Sequence, residues 1–174
     1  MNARILAALA LLLWLPVTAA AQNQPDARLH DAIARSLQSY ARLTIFDEVS
    51  AHVENGVLTL SGKVTMPFKK TEIGRRLADV AGVQEIRNEI TVLPVSVEDD
   101  ELRRRVARAI YGNSAFYRYA AMPRPPIHII VENGDVTLTG TVPTDVERAL
   151  ARSLAAGKGE RSVTCALRTE SELR

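Results

Sequence analysis

One cysteine, Cys165, occurs in 174 residues, and aromatic side chains make up only 5% of the chain. A lone cysteine excludes an intrachain disulfide framework, an all-cysteine zinc site and an iron–sulfur cluster held by one chain. The three histidines, His30, His52 and His128, show neither His-x-x-x-His nor His-Glu-x-x-His spacing, so no metal is expected. Ser61-Gly62 stands outside any Gly-x-Ser-x-Gly elbow. Gly157-Lys158-Gly159 lacks the upstream glycine and the following Ser or Thr of a phosphate loop. An excess of one charge is missing too: 22 Lys and Arg against 20 Asp and Glu leave +2, which gives no bulk attraction to nucleic acid. Together these absences point away from an enzyme, a cofactor and a small-molecule substrate.

Long apolar runs are absent except at the N-terminus. Arg4 supplies a positive start, Ile5–Leu15 an apolar core and Ala19-Ala20-Ala21 a small-residue cleavage site, with Pro16 just before it. This is the pattern of a signal peptide over residues 1–21, too short to cross a bilayer comfortably. It predicts a secreted protein, periplasmic in a Gram-negative cell.

The rest of the chain repeats itself. His52–Val64 lies over Ile130–Val142 at a constant offset of 78, with Val-Glu-Asn-Gly and Thr-Leu-x-Gly-x-Val in both copies. Each copy reads as a β-hairpin. Asn55-Gly56 and Asn133-Gly134 suit a tight turn whose central residues need positive φ. Val49, Ala51 and Val53 alternate on one side, as do Ile127, Ile129 and Val131. Gly62 and Gly140 predict a bulge or a close backbone approach.

Helices are expected on either side of each hairpin. Leu29, Ile33 and Leu37 mark the first, opening near Asp26, and Leu102, Val106 and Ile110 its counterpart behind Glu98-Asp99-Asp100. After the hairpins come Ile73, Leu77 and Val80, and then Val146, Leu150 and Leu154. A closing strand reads Ile86, Asn88, Ile90, Val92 in one copy and Val163, Cys165, Leu167 in the other. The fold class is α+β: two tandem α-β-β-α-β domains, residues 26–94 and 98–170, each a three-stranded mixed sheet with two helices packed on one face. Thr91–Val97 joins them, short enough to hold the units close.

These residues resemble the BON domain. The shared pattern is Val-x-Asn-Gly, Thr-Leu-Ser/Thr-Gly-x-Val, and Ala-Gly-Val-x-x-Ile-x-Asn-x-Ile-x-Val, carried by Val53–Val64, Ala81–Val92 and Val131–Val142. Two copies behind a leader are similar to the osmotically inducible protein Y family. The resemblance implies a non-enzymatic periplasmic binding module that supports envelope integrity under osmotic or other stress, through a phospholipid surface or a partner protein. The second copy departs from the pattern: Glu160 replaces an apolar residue, and Cys165 stands where Asn88 does. If Asn88 ties its strand to a neighbour, the second domain loses that bond, worth about 1 kcal/mol, and its last strand is expected to be less well held.

Two features are candidates for binding. The connection from Ile110 to Val131 is five residues longer than that from Leu37 to Val53, and this insertion carries four of the seven aromatics that follow Ala21. Phe116, Tyr117 and Tyr119 beside Arg118 suit a membrane-interface belt or a protein hot spot. The alternative is that these rings fold back to cap the core of the second domain, Tyr111 first among them. Basic helix residues are the second feature. Arg103, Arg104 and Arg108, with Arg105, follow one helix, and Lys69, Lys70, Arg75 and Arg76 another. They suit anionic headgroups, or are simply solvated. The partner is therefore a phospholipid surface, or alternatively an outer-membrane or secretion assembly or a periplasmic client.

Overall fold

The computed structural model describes residues 23–54 and 56–173. The expected signal peptide and the Asn55 position of the first turn lie outside the described residues. In the first unit, helix α1 (Asn23–Gln38) precedes strands β1 (Glu48–Glu54) and β2 (Val57–Val64), helix α2 (Pro67–Ala78), and strands β3 (Glu85–Asn88) and β4 (Thr91–Val92). The second unit has α3 (Val97–Tyr111), a short α4 (Tyr117–Ala120), β5 (Ile127–Glu132), β6 (Asp135–Val142), α5 (Asp145–Ala155) and β7 (Ser162–Thr169). A 3-10 turn, Glu170–Leu173, follows.

Both sheets are mixed, with the second hairpin strand central. β1 and β2 pair antiparallel with Ala51 opposite Leu60, and β5 and β6 with Ile129 opposite Leu138. β3 and β4 add to β2 in parallel, and β7 adds to β6 in parallel. A parallel neighbour needs a crossover, which α2 and α5 supply. The helix starts have local causes. Ser96 Oγ accepts from the Asp99 N–H at 3.1 Å, Thr144 Oγ1 from the Glu147 N–H at 3.2 Å, and Pro67 opens α2 where its missing N–H costs nothing.

Each unit has its own core. Leu58, Leu60, Ile73, Leu77 and Ile90 are sealed in the first, and Val106, Ile110, Ile129 and Leu138 in the second. Burying each such side chain is worth about 1.5–3 kcal/mol. The inner face of α5 differs from the expected one: Ala151 and Ala155 are buried, Leu150 and Leu154 partly so, and Val146 is 75% exposed. The buried alanines stand at the offset positions of Ile73 and Leu77. Phe116, which has no counterpart in the first unit, belongs to the same core cluster and takes up volume there.

The closing strands also reverse an expectation. Asn88 Nδ2 donates to the Lys70 main-chain oxygen at 3.0 Å, the anticipated tie, whereas Cys165 Sγ stands 3.9 Å from the equivalent oxygen of Arg148. Yet the strand bearing Cys165 pairs without interruption from Ser162 to Thr169, while the other breaks between Asn88 and Thr91. The Asn88 Oδ1 accepts the Ile90 N–H at 3.3 Å, a local bond that diverts the backbone from the ladder. The thiol offers no such competitor. Thr91–Val92, which the sequence pattern places both at the end of the closing strand and at the start of the joining segment, belongs to the first sheet.

The segment between α1 and β1 docks on the second unit. Ile45 and Phe46 pack against its core, and the Ile45 oxygen accepts the Ile129 N–H at 2.7 Å. Strand β5 thus has a main-chain partner on its outer edge, which would otherwise be an open template for pairing. Arg124 Nη2 donates to the Tyr40 oxygen at 2.9 Å, and Lys63 pairs with Glu132.

Candidate functional site

The insertion of the second unit divides into a buried half and an exposed half. Phe116 is fully buried and Tyr119 nearly so, their ring centroids 6.0 Å apart. Tyr119 donates its hydroxyl to Glu147 at 2.7 Å, and Arg118 spans both, donating to Tyr119 at 2.7 Å and Glu147 at 2.6 Å. Burial, then the Glu147 carboxylate, pushes the Tyr119 phenol up, against the opposing pull of Arg118. Tyr111 donates to the Ile127 oxygen, and burial drives its phenol far above the ordinary value. These rings are the cap on the core. Phe116 and Tyr119 are therefore corrected as binding residues.

Arg103 needs the same correction. It is buried, with Nη2 donating to the Val131 oxygen at 2.6 Å and Nη1 paired to Asp100, while Nε has no partner. It fastens α3 to β5. Arg104 and Arg108 stay exposed, one turn apart and so on one face. Tyr117 is 71% exposed, with Arg118 and Met122 also open. A shallow groove of about 400 Å³ is lined by Ala107, Arg108, Tyr111, Ala120 and Pro125, with Ile45 reaching in from the first unit. The second unit thus exposes an aromatic ring and an apolar groove that Arg108 helps to line.

The turn residues hold this unit in shape. Asn133 and Gly134 both have positive φ, and their N–H groups donate to the two oxygens of Asp99, each at 2.8 Å. The acidic run at the start of α3 therefore does more than face the helix dipole, which sequence reasoning missed. No constant spacing in the repeat marked it, since the insertion puts Asp99 34 residues ahead of Asn133. Gly56 closes the first turn with φ of 80°. Gly62 and Gly140 answer to close backbone approach, with unbroken ladders and no bulge. A Cβ on Gly140 would lie 2.0 Å from the Pro126 oxygen, and one on Gly62 2.2 Å from that of Glu48. Glu160, the other departure, accepts the N–H groups of Gly157 and Lys158 and shapes the turn after α5.

Among the described residues, no group of three or more His, Cys, Asp or Glu is placed to hold a metal. No helix described is long and apolar enough to cross a membrane. The buried acids Asp47 and Asp99 are spent on structural hydrogen bonds.

The BON domain family matches the sequence twice, over residues 25–94 and 98–171. No curated protein matches it. Among solved structures, the chain is similar to the C-terminal domain of CdsD, described as the structural protein of the type III secretion system of Chlamydia trachomatis. Identity is 14% and the TM-score 0.32, over 81% of this chain and 96% of that one. A second CdsD structure from that organism is similar at 16% identity and a TM-score of 0.29, over 84% and 95% of the two chains. Both likenesses are too loose to bear on function. Two matched stretches that together span most of the chain, each with its own hairpin, crossover helix and closing strand, place this protein in the BON domain family.

Proposed function

We propose that this protein is a non-enzymatic periplasmic binding protein that supports envelope integrity under osmotic or other stress by docking on phospholipid. The family is one of binding modules associated with membrane surfaces. The observation that carries the reading is Tyr117, 71% exposed beside Arg118 on the same unit as an apolar groove that Arg108 helps to line. An amphipathic ring suits the headgroup level, and each arginine near an anionic surface adds roughly 1 kcal/mol. Arg104 extends the basic edge along α3. The leader expected over residues 1–21 supports the periplasmic address.

Co-sedimentation with phosphatidylglycerol vesicles tests the proposal. The wild type is expected in the pellet, and a Tyr117→Ser, Arg108→Gln variant in the supernatant. A wild type that stays in the supernatant overturns it. One recurrent protein partner in whole-cell crosslinking, with no lipid binding, would install the protein-interaction reading instead.

A further inference from the structure

A second exposed apolar feature lies on the first unit, away from the insertion. Met66 is 50% exposed and Phe68 41%, held apart by Pro67 at the start of α2. They edge a cleft of about 580 Å³ between the units, whose other walls include Phe46, Arg42, Arg103 and Arg104. The cleft exists only where α3 of one unit faces α2 of the other.

Its charges can be accounted for one by one. Asp100 is taken by Arg103, and Lys69 is neutralised by Asp47. Arg42 reaches Glu72 at 3.0 Å with its own side chain 63% exposed, and its guanidinium lies 5.5 Å from the Phe68 ring centroid. Arg104 has no acidic partner among the described residues. Arg103, almost wholly buried in the cleft wall, leaves its Nε unsatisfied, an orphaned donor that is costly without an acceptor. The balance is positive, and guanidinium groups match phosphate oxygens in pairs.

We infer that the Met66-Pro67-Phe68 edge enters the acyl boundary of an anionic bilayer while Arg42 and Arg104 hold headgroup phosphates at the mouth of the cleft between the units. This rests on the phospholipid reading above and assigns the first unit its own part in it. A bilayer fits better than a protein. The apolar projection is two side chains on a short wedge, far below the roughly 800 Å² per partner of a stable protein interface. A cation stacked on the emerging ring belongs at the water–lipid boundary.

The full chain carries one tryptophan, Trp14, so a Trp14→Phe, Phe68→Trp variant places a single indole reporter on the edge. With vesicles of phosphatidylcholine and phosphatidylglycerol, the reporter is expected to shift to the blue and to be quenched by brominated acyl chains. Met66→Ser with Phe68→Ser should weaken vesicle binding on the order of tenfold, and Arg42→Gln or Arg104→Gln about fivefold. Circular dichroism checks that each variant keeps its fold. Wild-type binding with an unquenched reporter in the Phe68→Trp variant overturns this inference and leaves the lipid reading standing. No binding by the wild type overturns both. Equal quenching by pure phosphatidylcholine overturns the requirement for an anionic bilayer.

Discussion

Lys69 Nζ lies 2.5 Å from Oδ2 of Asp47, an ion pair with side chains only 6% and 0% exposed. The same carboxylate accepts the N–H and hydroxyl of both Thr44 and Thr65, so every lone pair of a buried anion is used. The Asp47 main-chain oxygen meets Nδ1 of His128 in the second unit at 2.6 Å. One residue thus locks the docking segment onto α2 and joins the two units. The second unit performs the equivalent task with reversed charge. Glu147, at the repeat position of Lys69, is held by Tyr119 and Arg118 from the insertion.

Removing the cation should be costlier than removing an exposed one. Lys69→Met strands a buried carboxylate and is expected to lower stability by about 3–5 kcal/mol in urea unfolding. Arg42→Gln, on the surface, should change it by less than about 1 kcal/mol.

Acid should loosen the same seam. Burial pushes the Asp47 carboxyl up, but Lys69 and the N–H donors of Thr65 and Thr44 outweigh it and hold it below the ordinary carboxylate value. The folded state therefore releases this proton more readily than the unfolded chain. Its stabilisation is complete above the unfolded value near pH 4 and is lost as pH falls through the lower, folded one. Asp135, held at about 2 by Arg161 and Ser162, acts with the same sign. Thermal melts across this acid range should show a falling Tm, with a shallower fall in Asp47→Asn.

Gly140→Ala tests close approach. With φ of 113° and a Cβ that would strike the Pro126 oxygen, it is expected to cost more than the 1–3 kcal/mol of backbone strain alone. Gly157→Ala also has positive φ, at 71°, but meets nothing within 4 Å, so about 1–2 kcal/mol is expected. Equal losses in denaturant melts would remove the steric argument.

Hydrogen exchange should separate the closing strands. Amides of β7 are expected to exchange more slowly than those of β3 and β4, because the β7 ladder is unbroken. Cys165→Asn should speed exchange just beyond residue 165 by introducing the competing side-chain acceptor. Unchanged exchange in that variant would mean that Asn88 does not cause the break in its own strand.

Buried and exposed aromatics should part company in vesicle assays. Phe116→Ala is expected to cost about 3–5 kcal/mol of stability, so any loss of binding follows from unfolding. Tyr117→Ser should leave urea unfolding within about 0.5 kcal/mol of wild type and still weaken sedimentation with phosphatidylglycerol.

Much of the architecture was legible because it is periodic and duplicated. Alternation in Val49–Val53 and Ile127–Val131, Asn-Gly at the turns and fourfold spacing in Leu102–Ile110 are local signals that need no knowledge of distant residues. The insertion was legible as a feature and misread in part. Aromatics beside arginine look alike in a string of letters, whether Phe116 fills a core or Tyr117 meets solvent. The face of α5 was misassigned for a related reason: apolar period alone preferred Val146, while the residues that enter the core are the alanines Ala151 and Ala155.

The sequence by itself determined the two α+β units, their hairpins, their helices and their membership of one family, since these depend on short-range pattern repeated at a fixed offset. Tertiary structure decided which arginines and rings remain free, how Asp47 and Ile45 seal one unit against the other, and why β7 runs unbroken. Those outcomes depend on neighbours as much as 84 residues away, as in the bond from Arg124 to Tyr40, and no local pattern encodes which distant group will occupy a given space.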